Sequence, residues 1–186
     1  VRYAAEESKR LGMDFGMFNG PGYESSGGNW ITPELSMQEL CWSSLEVNGD
    51  TARLFVLDKP RVNPRANMLW PIYNPLTGKV EKPEMDVRKT YYRDIAVLAA
   101  PAGGIVNAAS VIDLSKHLQS DGKLAWSPPS GRWIIYRIGH TTMASLIQPA
   151  QWEATGMECD KMNQRAVDFH IGHVIREIKK HLGPLA

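Results

Sequence analysis

The chain has 186 residues, enough for one sizeable core or for one core with an appended subdomain. Its 21 basic and 20 acidic residues nearly cancel, and no basic run is interleaved with aromatics, which argues against nucleic acid as a partner. No apolar segment approaches the ~20 residues that cross a bilayer, and two cysteines, Cys41 and Cys159, are too few and too far apart for a disulfide framework. Each reads as a small buried hydrophobe.

Residues 1–11 carry a helical pattern, with Tyr3, Ala4 and Leu11 on one side and Glu6, Glu7, Lys9 and Arg10 on the other. Gly12 follows where helices commonly stop. Met13-Asp14-Phe15-Gly16-Met17-Phe18 then reads as a buried strand. Helix, short turn, apolar strand and long loop is the repeating unit of an α/β barrel or open α/β sheet, with the loop on the ligand-binding face.

That loop, residues 19–33, holds four glycines, two prolines, Tyr23 and Trp30 among small polar side chains. Glycines let a ligand approach the main chain closely. Flat apolar faces beside hydrogen-bonding Asn19, Ser25, Ser26 and Asn29 suit a sugar, which has a polar rim and an apolar ring face. The same composition also fits an ordinary connecting loop.

Thr32-Pro33 has the chemistry of an N-cap and first helical position, predicting a short helix over 34–40. Residues 39–150 are then β-rich, with runs at 41–47, 51–57, 92–99, 123–126 and 133–141 and breakers at Asn48-Gly49-Asp50, Asp121-Gly122 and Pro128-Pro129-Ser130-Gly131. Short strands without long intervening helices predict an antiparallel sheet or small sandwich. The proline-rich stretch from Lys59 to Met85 predicts an irregular loop.

Helical period returns at the end, where Val167, Ile171, Val174, Ile175, Ile178 and Leu182 form one apolar stripe. Asp160 is the expected N-cap. The fold class expected is therefore α/β: a partial (β/α) barrel, residues 1–38 and 151–186, interrupted by a β-rich antiparallel insertion, residues 39–150. The absence of an initiator methionine, a helix already under way at Val1 and the start of a connection at Gly183-Pro184 predict a piece of a longer chain.

Gly156-Met157-Glu158-Cys159-Asp160-Lys161 is the second chemical constellation. Carboxylates one residue apart can bind a hard cation or hydrogen-bond a polyol; helix capping accounts equally for Asp160. His140-Thr141-Thr142 closes the last strand of the insertion with an imidazole and two hydroxyls. His170 reads as a half-buried structural histidine, and His173 and His181 as surface residues. There is no zinc-ligand spacing, nucleophile elbow or phosphate loop.

At these motifs the chain resembles the α-L-rhamnosidases of glycoside hydrolase family 106. The similar blocks are residues 19–34, Met37-Gln38-Glu39-Leu40-Cys41-Trp42-Ser43, Tyr92-Arg93-Asp94-Ile95-Ala96-Val97-Leu98, Gly139-His140-Thr141-Thr142, Gly156 to Lys161 and Ala166-Val167-Asp168-Phe169-His170. Tyr23 stands where relatives usually have tryptophan, and Ser44 where they often have glutamate. The resemblance implies a larger enzyme with an α/β-barrel catalytic domain and accessory β domains. It implies hydrolysis of terminal α-L-rhamnose from a glycan or glycoside with inversion, and calcium at the sugar site.

On that basis Glu158 is expected to be catalytic or a ligand, with Asn19, Trp30, His140 and Asp160 at the substrate and Glu158 and Asp160 as calcium ligands. The other partner is the remainder of the parent chain, without which turnover is not expected. Enzymes that attack external polysaccharides are usually exported, so a periplasmic or secreted location is implied. Two rival readings are a carbohydrate-binding module without catalysis and a structural fragment with no ligand. The enzyme reading requires the glycine loop and Glu158 to converge on one side of the fold.

Overall fold

The structure is a computed structural model that describes residues 1–16, 18, 20, 23, 25–50, 52–61, 72–81, 91–147, 150 and 154–183. In chain order the elements are α1 (Arg2–Leu11), β1 (Gly27–Gly28), β2 (Gln38–Asn48), β3 (Arg53–Val56), β4 (Ile72–Asn74), β5 (Lys79–Glu81), β6 (Arg93–Pro101), β7 (Ile112–Asp113), β8 (Lys123–Trp126), β9 (Arg132–Thr142), β10 (Met157–Glu158) and α2 (Gln164–Leu182). The architecture is mixed α/β, sheet-rich, with two α-helices among the described residues. The chain divides into two compact units: residues 38–65 with 88–142, and the remaining segments 1–37, 66–87 and 143–186.

The described residues of the first unit form β-strands joined by turns and two short 3-10 helices. Its four-stranded sheet runs β2-β9-β6-β7, every pairing antiparallel, and β3 pairs with β8 in a second sheet. Alternation along β9 sends Trp133, Ile135, Arg137, Gly139 and Thr141 to the buried face, as a period of two requires. Trp133 and Ile135 join Val47, Val97 and Ala99 from the same sheet, and Phe55 and Leu124 from β3 and β8, in one core. The antiparallel sheet expected for this stretch is therefore present.

One residue on the buried face is charged. Arg137, 4% exposed, donates to both carboxylate oxygens of Asp94 at 2.8 and 2.9 Å and to the Leu57 carbonyl at 2.7 Å. Tyr92 donates its hydroxyl to Asp94 at 2.8 Å and lays its ring under the guanidinium. A buried charge is tolerable only when paired and hydrogen-bonded in this way. Arg137's hydrogen bonds hold the Asp94 carboxyl below the usual carboxylate range, with burial opposing them and Tyr92 assisting. Desolvation, then the bond to Asp94, pushes the Tyr92 hydroxyl far above its ordinary value. Gly139 makes room for Tyr92: a Cβ there would lie 2.4 Å from the phenol ring.

In the other unit, α1 ends at Gly12, whose left-handed φ of 69° lets its N–H bond back to Lys9. Helix α2 starts at Asn163, whose side chain accepts from Arg165 N at 3.1 Å, and ends with Lys179, Lys180 and His181 complementing the helix dipole. It buries Ala166, His170 and Leu182, while Ile171 and Ile175 of the expected stripe stay exposed. β4 and β5 form a hairpin inside the stretch expected to be irregular; residues 62–71 and 82–90 lie outside the described residues.

Three expectations need correction, and a fourth, the barrel, goes beyond what the described residues show. Met13 to Gly16 and Phe18 form no strand and are exposed. All described strand pairings are antiparallel, so the described residues show no barrel; a barrel strand needs parallel neighbours supplied by further βα units. Thr32-Pro33 opens a turn, with Leu35 N bonding to Thr32 O at 3.0 Å, because Ser36 and Met37 are drawn into pairing with 158–159. Asp160 does not cap α2: its Oδ1 accepts from Met162 N in a turn ahead of the helix, and Asn163 takes the cap.

Candidate active site

The glycine loop and the acidic motif meet directly. β1 and β10 pair antiparallel, Gly27 opposite Glu158 and Gly28 opposite Met157. The approach is too close for side chains. A Cβ on Gly27 would lie 2.2 Å from the Met157 carbonyl oxygen and 2.8 Å from Glu158 Cα, and one on Gly156 would lie 2.0 Å from Gly28 C. The segment 156–160 is threaded among three others by backbone bonds. Cys159 N donates to Ser26 O at 3.0 Å, Met37 N to Glu158 O at 3.1 Å, Asp160 N to Leu35 O at 2.9 Å and Glu158 N to Ser145 O at 2.8 Å. A carboxylate held on so many strands of chain has a fixed backbone position.

Glu158 is 7% exposed and forms an ion pair and hydrogen bond with the Lys161 ammonium. A carboxylate leaving water needs such a partner. Asp160 Oδ1 accepts from Met162 N at 3.0 Å, an Asx turn that shapes the lead-in to α2. Between them Cys159 is buried with Ile31, Leu35 and Ala166, and burial pushes its thiol up, as it does for Cys41. Both cysteines are free.

Trp30, half-buried, packs against that cluster and is committed to α2. Its indole N–H donates to His170 Nδ1 at 3.1 Å, and its ring stacks on His173 with centroids 4.3 Å apart. His170 Nε2 meets the Ser25 carbonyl at 2.8 Å. Beside Trp30 lies a cavity of about 360 Å³ lined by Ser25, His173, Val174, Glu177 and Ile178, largely apolar and in the size range of small-ligand sites. Phe18 and Tyr23, edge to face at 6.4 Å, are exposed on the loop.

His140 belongs to the β unit. Its Nδ1 is 2.8 Å from Gln38 Oε1, its ring meets the edge of Tyr91, and Arg93 lies over Tyr91 at 5.3 Å. Thus Trp30, Glu158 and Asp160 share one unit, His140 is organised within the other, and Asn19 lies outside the described residues. His170 is hydrogen-bonded as expected, whereas His173, expected on the surface, stacks on Trp30; the available signal was their spacing of three, which places both on one helix face.

The described residues alone assemble no calcium cage. Among the described residues no group of three or more His, Cys, Asp or Glu side chains could share a metal ion, and the Glu158 carboxylate holds the Lys161 ammonium. Calcium takes six to eight oxygens. No described helix is long and apolar enough to cross a membrane.

A family model described as alpha-L-rhamnosidase matches residues 1–105 and 101–186. The chain belongs to glycoside hydrolase family 106. It is 30% identical over 199 aligned positions to a Formosa agariphila protein named "Putative beta-glucuronidase", covering 98% of this chain and 16% of that protein. It also superposes on the rhamnosidase from Novosphingobium sp. PP1Y with a TM-score of 0.69 at 17% identity, covering 98% of this chain and 31% of that one. The chain therefore spans a third or less of the relatives it matches.

Proposed function

We propose that this family 106 chain carries one wall of the catalytic pocket of an exported glycoside hydrolase, periplasmic or secreted. Its substrate is a terminal α-L-rhamnose on a glycan or glycoside, hydrolysed with inversion. The single observation that supports this most is the Gly27–Glu158 pairing, which sets a buried carboxylate against the glycine loop. In this reading the rest of the parent chain completes a (β/α) barrel.

Inversion needs an acid and a base roughly 6.5–9.5 Å apart with water between base and sugar. Glu158, charge-balanced by Lys161 as a carboxylate, is the base that takes a proton from that water. The acid comes from outside the described residues. Trp30 and the apolar cavity beside it receive the ring face and methyl group of the deoxy sugar. Asp160 and, as the resemblance implies, Asn19 hydrogen-bond its hydroxyls. Calcium, implied by the family resemblance, would have Glu158 and Asp160 as ligands; because the described donors form no cage, no step is routed through it.

The test is parallel hydrolysis of an aryl α-L-rhamnoside and an aryl β-D-glucuronide by residues 1–186 within their complete reading frame. The expected result is release from the rhamnoside, with β-L-rhamnose as first product, and at least about a hundredfold loss in the Glu158→Gln variant. Release from the glucuronide alone, as the name of the Formosa relative raises, overturns the substrate assignment. Sugar binding without turnover favours the binding-module reading.

A further inference from the structure

His170 sits at a junction that the catalytic reading does not use. It is 4% exposed on α2, yet both its ring nitrogens are spent on the glycine loop, Nδ1 on the Trp30 indole and Nε2 on the Ser25 carbonyl. The two partners bracket Gly27 and Gly28, the residues that pair with Met157 and Glu158.

The partners also decide the tautomer. An indole N–H only donates, so Nδ1 must present its lone pair; a backbone carbonyl only accepts, so Nε2 must carry the proton. Both bonds exist together only in the neutral Nε2–H imidazole. A second proton would land on Nδ1 and face the Trp30 N–H, donor against donor, on a side chain only 4% exposed.

We propose that His170 is a positioning residue that fastens the wall from Ser25 to Trp30 to helix α2 as a neutral imidazole, and that protonation releases Trp30. The other titratable groups on the elements around it include His173, stacked on Trp30 from the same helix, Glu177 and His181 along the cavity beside Trp30, Arg165, Asp168 and Arg176 elsewhere on α2, Tyr23 on the loop, the Cys159 thiol, and the Glu158–Lys161 pair. Ser25 and Trp30 carry no charge. The inference rests on the proposed function only for its consequence, weaker sugar binding in acid; the fastening itself is measured without sugar.

The experiment is nitrogen-15 NMR of the 186-residue chain, with the Trp30 indole resonance assigned through Trp30→Phe. On acidification, the Trp30 indole and the His170 ring nitrogens, joined by one hydrogen bond, are expected to shift together. In His170→Gln the amide oxygen accepts from Trp30 and the amide nitrogen donates to Ser25, so the indole should hold its neutral-pH position throughout. His173→Gln should keep the step, which separates the two histidines even if the first variant fails to fold. A Trp30 resonance that stays still while His170 gains its proton overturns the proposal, as does a His170 ring that stays neutral throughout. The same step in His170→Gln, or its loss in His173→Gln, also overturns it.

Discussion

Gly27 lies directly across from Glu158 in a two-stranded ladder so tight that the glycine's missing side chain is replaced by the partner's backbone. Glycine at 27 and 156 is thus a packing requirement. Gly27→Ala and Gly156→Ala are each expected to cost about 1–3 kcal/mol, since backbone must move, read as a lower urea midpoint. Gly172→Ala is the control. It sits inside α2, where a Cβ meets only the flexible Arg176 tip at 3.3 Å, and should gain up to about 1 kcal/mol.

The Asp94–Arg137 pair predicts a pH dependence with a definite sign. Asp94 sits below the usual carboxylate range chiefly because Arg137 donates to it. Its contribution is therefore complete above about pH 4, the value of an unfolded carboxyl, and is lost as pH falls from there through the depressed folded value. Asp94→Asn should flatten that part of the stability profile. It should also destabilise at neutral pH, at or below the low end of the about 3–5 kcal/mol expected for orphaning a buried ion, because Asp94 is 38% exposed.

Calcium is expected to leave the thermal midpoint of the 186-residue chain unchanged, because Glu158 is already paired and no third acidic, histidine or cysteine group joins it among the described residues. A rise of several degrees on adding the ion, reversed by chelator, would show that a site exists.

Much of the β unit was legible because alternation and turn chemistry act locally: the runs at 41–47, 123–126 and 133–141 lie within β2, β8 and β9. Capping signals failed where long-range pairing took the same backbone groups. Thr32 offered a helix start, but Met37 N is taken by Glu158 O; Asp160 offered another, but its chain is held to Leu35 and its carboxylate closes a turn on Met162, so the helix starts later, at Asn163. The apolar run after Gly12 carries no period that separates a buried strand from exposed chain.

At the site, the glycine loop and the acidic motif each stood out by composition. Their pairing was foreseeable only through the family resemblance, since no local pattern encodes which strand a glycine pair will meet. His170 looked like a structural histidine because its two partners, Ser25 and Trp30, come from a distant part of the chain. Arg137 on a buried strand face would have read as a register error without Asp94 and Tyr92 to receive it.

Titrating the nitrogen-15-labelled chain with methyl α-L-rhamnoside tests most directly whether the paired glycine loop and Glu158 segment form a sugar pocket. The prediction is saturable shifts at the Gly27, Gly28 and Cys159 amides and the Trp30 indole, smaller in Glu158→Gln. Saturable shifts confined to the β unit, or none at any concentration, would contradict it.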